Sequence, residues 1–389
     1  MPTITRAQTG IRLRLAVRTL PLVLIVFLTS CLSGGALLRG ATPPAPVRAG
    51  FAAMVLQLSE PGGDFGGDNL ISNEQSYLHV MSDLERAGVV GGAYVGVGPD
   101  QNFSYIAKVR PEIAYLVDIR RDNLLLHLLF KAIFAEATTR VEYLSLLTGC
   151  AAPSSPGSWR DAGVDALIAY IDAASPLPDS AQAEVQRRLD LRIKGFGIPL
   201  TSADLATIIA ARKHFMLEKL SLVFQARGQP RRTYYPSLRT LLRETDRDGR
   251  QLSFLATESG YHFVRELQGR DLIVPVVGDV SGPQAMRAIA TDMKARGLRL
   301  SVLYISNVEY YLFRARTFAR YAKNLQRFPR DERSMVIRSV FPSGGSARLR
   351  QSVPGFYSTS LTQSFTTMLE DLAAGRYPDY RDLVTASSR

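Results

Sequence analysis

The stretch GGAYVGVGPDQNFSYIAKVRPEIAYLVDIRRDN, Gly91–Asn123, reads as one strand–turn–helix–strand unit. Ala93 to Val97 is a short apolar run rich in Tyr and Val, long enough for a buried strand and too short for a helix. Gly96-Val97-Gly98-Pro99-Asp100 breaks it. The two glycines allow a tight turn and a close approach to the backbone, while Pro99 fixes one dihedral and removes a donor. Asn102 to Val109 then places Phe103, Ile106 and Ala107 on one face, as a short helix requires, and Pro111 stops it. Ile113 to Val117 is a second apolar run, with Asp118 at its carboxyl end, 20 positions after Gly98.

That order has a chemical use. Free N–H groups and the helix dipole at the turn suit an anionic or polar group, and an acid ending the second strand can accept both hydroxyls of a ribose. The unit resembles the nucleoside-binding half of the class I S-adenosylmethionine-dependent methyltransferases, with Gly96-x-Gly98 as the first motif and Asp118 as the ribose acid. A nicotinamide fingerprint fits less well, because Gln101 stands where its third glycine belongs and Pro99 intrudes. A doubly wound domain whose glycine turn serves only packing is the alternative, since fold does not imply function.

Away from this unit, the alternation of strand and helix resumes at Asp271. Leu272–Val277 and Leu300–Ile305 read as strands, Pro283–Arg296 as a helix capped by Ser281, and Ser334–Phe341 as a further strand. The expected fold is therefore α/β, a Rossmann-like and mostly parallel sheet with helices on both faces. Between the two halves lies a helical insertion at 150–270, with segments Trp159–Ala173, Ser180–Ile193, Thr201–Gln225, Tyr235–Thr245 and Glu258–Gln268. The β-rich halves then span 51–149 and 271–389. No final β-hairpin is evident after Phe341. Glu74 to Ala87, capped by Ser72 or Asn73, and Leu124 to about Leu147, capped by Asp122 or Asn123, read as single helices. Glu60–Asn73, with four glycines and three acids, reads as a loop ahead of the site, either a cover or a solvated connection.

The resemblance carries further expectations. It implies that the Gly96–Asp100 turn, with Gly96, Gly98 and Asp100, holds the amino-acid end of S-adenosylmethionine. Asp118 would hold the ribose and Asp279, at the end of the third strand, the adenine. Ser306-Asn307-Val308-Glu309 occupies the place closest to the transferred methyl. Asn307, Glu309 and Tyr310 are accordingly the catalytic candidates, orienting an acceptor or taking its proton, and Glu74 and Tyr77 are rim candidates.

The N-terminus sets the compartment. Arg6, Arg12, Arg14 and Arg18 precede an apolar run, Leu20–Leu28, followed by Thr29-Ser30-Cys31. This run suits a secretory h-region, so 1–30 is expected to be a signal peptide. Leu28-Thr29-Ser30-Cys31 resembles a bacterial lipobox, which implies lipidation of Cys31, a tether at 31–50 and an envelope location. Leu32 is not the aspartate associated with inner-membrane retention, which points to the outer membrane. An ordinary signal peptide or an uncleaved anchor, with an incidental cysteine, is the alternative.

Composition agrees with a sizeable core: of 389 residues, 46% are hydrophobic and 21% charged. The formal charge is +12, and loss of residues 1–30, with four arginines and no acids, leaves +8. The basic residues form no aromatic-interleaved stripe, so no nucleic-acid partner is expected. With Cys31 lipidated, Cys150 stands alone, and no cysteine-based metal site is expected. No Ser/His/Asp order, H-E-x-x-H or P-loop supports a hydrolase. Two functions remain: a membrane-anchored methyltransferase-like protein acting on a nucleoside-type cofactor, or a non-catalytic envelope lipoprotein using the same fold as a binding module.

Overall fold

A computed structural model describes residues 49–345 and 349–388. The expected signal peptide, Cys31 and most of the expected tether lie outside the described residues. Six strands form one sheet: β1 Ala93–Val97, β2 Ile113–Asp118, β3 Ile273–Val277, β4 Leu300–Ser306, β5 Met335–Val340 and β6 Thr359–Ser364. Their spatial order is β3-β2-β1-β4-β5-β6. All neighbours are parallel except β5 and β6, which run antiparallel from Met335↔Ser364 to Val340↔Thr359. The antiparallel strand absent from the sequence reading is therefore present. Its sequence TSLTQS carries little apolar signal, because it is a polar edge strand.

The helices are α1 Ala49–Leu58, α2 Met81–Arg86, α3 Asn102–Val109, α4 Arg121–Glu136, α5 Arg140–Thr148, α6 Val164–Ala173, α7 Asp179–Gly195, α8 Ser202–Glu218, α9 Leu238–Arg243, α10 Glu258–Gly269, α11 Ala285–Ala295, α12 Val308–Arg314, α13 Phe318–Leu325, α14 Phe365–Ala373 and α15 Tyr380–Ser387. Right-handed crossovers decide the layers. The steps β1 to β2 and β2 to β3 travel one way along the sheet, which puts α3 and α4 on one face. The steps β3 to β4 and β4 to β5 travel the other way, which puts α11 and α13 on the opposite face. The contacts agree: α10 packs on both α3 and α4, while α11 packs on α1 and α13. The insertion α5–α10 lies between β2 and β3, yet those two strands are hydrogen-bonded neighbours from Ala114↔Ile273 to Asp118↔Val277.

Helix α4 explains why the insertion does not become a separate body. Every residue from Asn123 to Phe134 is buried, and a helix apolar on nearly all sides must be enclosed. It packs against β2 and β3 on one side and α7, α8 and α10 on others. Lys131, 3% exposed, reaches Asp271 at 2.9 Å and lies 4.5 Å from the centre of the Phe51 ring.

Local chemistry shortens several expected helices. The expected helix Leu124–Leu147 is two helices, because Thr139 and Glu142 form a capping box that starts α5 afresh. Its start is Arg121, so neither Asp122 nor Asn123 is the cap. Glu74–Ala87 is a 3-10 segment, Gln75–Val80, followed by α2, with Glu74 N–H donating to Ser72 Oγ at 3.0 Å. The cap of α11 is not Ser281, whose hydroxyl turns to Asp279. The carboxylate of Glu60 accepts instead, from the N–H groups of Asp279 (2.9 Å), Gln284 (2.7 Å) and Ala285 (3.1 Å).

Glu309 belongs to the fold. It is 1% exposed and accepts from Arg338 Nε at 2.7 Å and Nη2 at 3.3 Å, with Tyr321 OH at 3.4 Å. Arg338, on β5 and equally enclosed, also donates to Gln363 at 2.8 Å and to Ser387. This ion pair ties α12 to β5, β6 and α15. Removing one member of such a pair leaves the other buried and uncompensated, at a cost of about 3–5 kcal/mol. Glu309→Gln should therefore lower the urea midpoint by an amount equivalent to a few kcal/mol. An unchanged midpoint would show that the pair does not hold these elements together.

Candidate functional site

The strand register brings the carboxyl ends of four strands to one level. Val97 pairs with Val117, Asp118 with Val277 and Gly96 with Tyr304. Above these ends, where strand order reverses between β1 and β4, lies a cavity of about 380 Å³. Gly98, Asp118, Asp279 and Asn307 all line it, as does Glu74; Gly96, Tyr77, Asp100, Glu309 and Tyr310 do not. Its walls are largely apolar, from Val97, Val117, Ile119, Val280, Val308 and Leu312.

The loop Glu60–Asn73 forms one wall through Asp64, Phe65, Asn69, Ile71, Ser72 and Asn73. The Phe65 ring meets Tyr311 edge-on at 5.2 Å. Arg120 holds this loop in place. Nearly enclosed at 3% exposure, it donates through Nη1 to the carbonyls of Gly67 (3.0 Å) and Asp68 (3.2 Å). Its Nε and Nη2 grip Asp118 at 3.1 and 2.8 Å, and its backbone N–H adds a third bond at 2.9 Å. Asp118 thus stands at the expected strand end with much of its accepting capacity already used.

The glycine turn divides into two roles. Gly98 has φ +82°, a conformation that favours glycine, and nothing lies within 4 Å of where its Cβ would be. Gly96 is different: a Cβ there would sit 2.0 Å from Asn102 Oδ1. Gly96 makes room for the Asn102 side chain, whose Nδ2 donates to Val97 O (2.9 Å), Gly98 O (3.3 Å) and Pro99 O (2.7 Å), while Oδ1 accepts from Tyr94 OH at 2.7 Å. His127 supports the same turn from below, with Nε2–H donating to Gly98 O at 2.9 Å. Burial lowers its pKa to about 4, so the ring is neutral, and its Nδ1 is buried without a partner.

Asp100 lies beneath the turn. Its carboxyl is almost fully enclosed, and burial pushes its pKa up to about 7 against the pull of the N–H groups of Asp100 and Gln101. It occupies donors that a bound anion would need. Tyr310 packs on Tyr311, Tyr380 and Arg314. Asp279 accepts from Ser281 N–H at 2.8 Å and from its hydroxyl at 2.9 Å.

The floor of the cavity was the least legible part. Glu74, 1% exposed, collects four side-chain donors: Tyr304 OH at 2.8 Å, Gln101 Nε2 at 3.3 Å, and the hydroxyls of Ser306 and Ser339. Burial raises its pKa despite those bonds. Ser306 is held at φ +54°, unusual for a residue with a Cβ, and this directs its hydroxyl to Glu74. The available signal was Tyr304, whose polar tip in a buried strand requires a partner. Gln101 Oε1 is buried at the cavity without one. Among the described residues, no group of three or more His, Cys, Asp or Glu side chains could hold a metal ion.

A family model described as "Domain of unknown function (DUF7790)" matches residues 70–154 and 204–387. The chain belongs to this family. The matched residues contain all six strands and every cavity-lining residue from Ile71 onward, whereas the unmatched 155–203 contains α6 and α7. No curated protein matches the chain.

Asp100 gives a pH test. Its carboxyl is protonated in the folded chain up to about pH 7 but ionises near 3.8 when unfolded, so its contribution to stability is complete below pH 3.8 and is lost as pH rises towards 7. Asp100→Asn should leave stability at pH 4 nearly unchanged and raise it at pH 8 by a few kcal/mol, on the order of 1.4 per pK unit. Denaturant titrations across this range should show the two chains diverging; parallel profiles would refute the assignment.

Proposed function

We propose that this protein is an exported, lipid-anchored member of its family whose cavity binds a nucleoside-type cofactor, S-adenosylmethionine, and uses it in methyl transfer. The observation that carries the reading is the convergence of Gly98, Asp118, Asp279 and Asn307 on one cavity at the reversal of strand order. The order β3-β2-β1-β4-β5 with an antiparallel β6 at the edge fits the methyltransferase resemblance better than an all-parallel dinucleotide fold.

The residues present fit such a cofactor. A cavity of about 380 Å³ is within the usual range for small-ligand sites, and apolar walls with a few placed polar groups suit an adenosine. Val117, Ile119, Val280 and Phe65 would enclose the base, and the remaining acceptor capacity of Asp118 would meet the ribose. Bound there, the cofactor would supply an electrophilic methyl on a sulfonium. Orientation is the chief demand of that chemistry. Tyr304 and Tyr311, both lining the cavity, offer π faces to a cation. Asn307, on the rim ahead of α12, is the remaining candidate to orient an acceptor.

A second reading, a binding module without catalysis, is favoured by two observations. Arg120 already grips Asp118, and Asp100 already occupies N–H groups of the turn. Export would also separate the domain from the cytosolic supply of the cofactor.

Calorimetric titration with S-adenosylmethionine and its demethylated product should give saturable heat with each. Val308→Trp, which fills the cavity, should weaken both at least tenfold without lowering the unfolding temperature by more than a few degrees. Absence of heat with either ligand removes the nucleoside reading; binding without transfer of isotopic methyl to envelope extracts favours the binding module. The anchor is tested separately. Metabolic labelling with a fatty acid should tag the wild type and spare Cys31→Ala, and equal labelling would discard it.

A further inference from the structure

Beside the cavity lies a groove of about 730 Å³ with a different character. Ile119 and Asp279 line both, so the two spaces adjoin. Four cations line the groove: Arg320, Lys323 and Arg327 with Arg287. The first three belong to or directly follow α13, at spacings that place them on one helix face, and Arg287 comes from α11, which packs against it. All four are exposed. Among the described residues, none of them lies within ion-pair distance of a carboxylate, whereas most arginines elsewhere on the surface do.

Two acids line the same groove, and both are engaged. Glu60 accepts the N–H groups of Gln284 and Ala285 at the start of α11 and that of Asp279 after β3, and Asp279 accepts from Ser281. Neither is aimed at the cations. Four positive charges against two negative ones leave a formal excess of two, which matches a phosphoryl or pyrophosphoryl group. Arginine's planar fork suits such oxygens, and a cleft with low-dielectric walls strengthens the attraction relative to a flat surface. Asn324 is unavailable for this role, since its Nδ2 donates to Val280 O at 3.0 Å and Gly282 O at 2.9 Å, which fixes the groove wall.

We propose that this groove receives the phosphoryl or pyrophosphoryl end of a small molecule whose other end enters the cavity across Asp279 and Ile119. That the molecule is the methyl acceptor rests on the reading above; that the groove binds such an anion does not. The acceptor class is then a phosphorylated metabolite or headgroup fragment rather than a protein or a neutral sugar.

The test uses the full chain in mild detergent at low ionic strength, with inorganic pyrophosphate as the calorimetric probe. Saturable binding is expected, weakened at least tenfold in Lys323→Gln/Arg327→Gln and falling with added salt, since these charges are exposed. S-adenosylmethionine titrated into the same variant should bind as it does to the wild type, which reports that the cavity is intact. No saturable pyrophosphate binding, or equal binding by the variant, overturns the proposal. Sedimentation with phosphatidylglycerol vesicles that depends on the two residues, without pyrophosphate binding, overturns it in favour of a membrane contact. Pyrophosphate binding without any S-adenosylmethionine binding retains the anion site and overturns the acceptor assignment.

Discussion

A guanidinium removed from water needs partners for its donors, and Arg120 places four of its N–H bonds in two directions at once. Asp118, at the end of β2, supplies the countercharge, and the carbonyls of Gly67 and Asp68 take the two bonds from Nη1. The glycine-rich loop ahead of the sheet is thereby fastened to a strand end. Backbone bonds share the task, from Gly63 N–H to Ile119 O at 2.7 Å, from Asp68 N–H to Gln225 O at 2.9 Å and from Arg227 N–H to Gly66 O at 2.8 Å, and together they offset the large loss of freedom that four glycines suffer on ordering. Arg120 also redefines Asp118. A carboxylate that anchors a buried arginine is a structural element first and a ligand acceptor second.

Much of the sheet was legible because parallel strands buried on both faces read as continuous apolar runs. β1 is Ala93–Val97, as read, and α3 is Asn102–Val109. The strand-end residues were legible for the same reason, since topology alone places them together. What the sequence hid falls into two kinds. One is side-chain capping from a distance: Glu60 caps α11, 225 positions away in the case of Ala285, and no local pattern reports it. The other is the fate of polar residues once buried. Glu309, two positions after Asn307, looked like site chemistry, but Arg338, from a strand further on, claims it. Gly96 looked like ligand clearance, but the atom it clears is Asn102 Oδ1.

Glu74 shows the converse. It sits ahead of a 3-10 segment, with no motif around it, yet residues from β4, β5 and the start of α3 converge on its carboxyl. Such a network defines a unique arrangement only when its members are satisfied, because an unpaired buried donor is costly in a low dielectric. Gln101, with its amide nitrogen engaged and its oxygen free at the cavity, is the member through which a ligand would complete the set. The floor is thus both a packing device and a polar surface facing the ligand space.

The position of the helical insertion has a kinetic side. β2 and β3 are adjacent in space, but the chain between Asp118 and Ile273 must be gathered before their ladder can close. Closing a long loop carries an entropic cost that is repaid only after the ends meet, and non-local parallel pairing is intrinsically slow. During synthesis β1, α3 and β2 emerge first, with one edge of β2 exposed until the insertion has collapsed around α4. The hydrophobic girdle of α4, which in the finished protein joins insertion to sheet, would in that interval be the surface most in need of a chaperone.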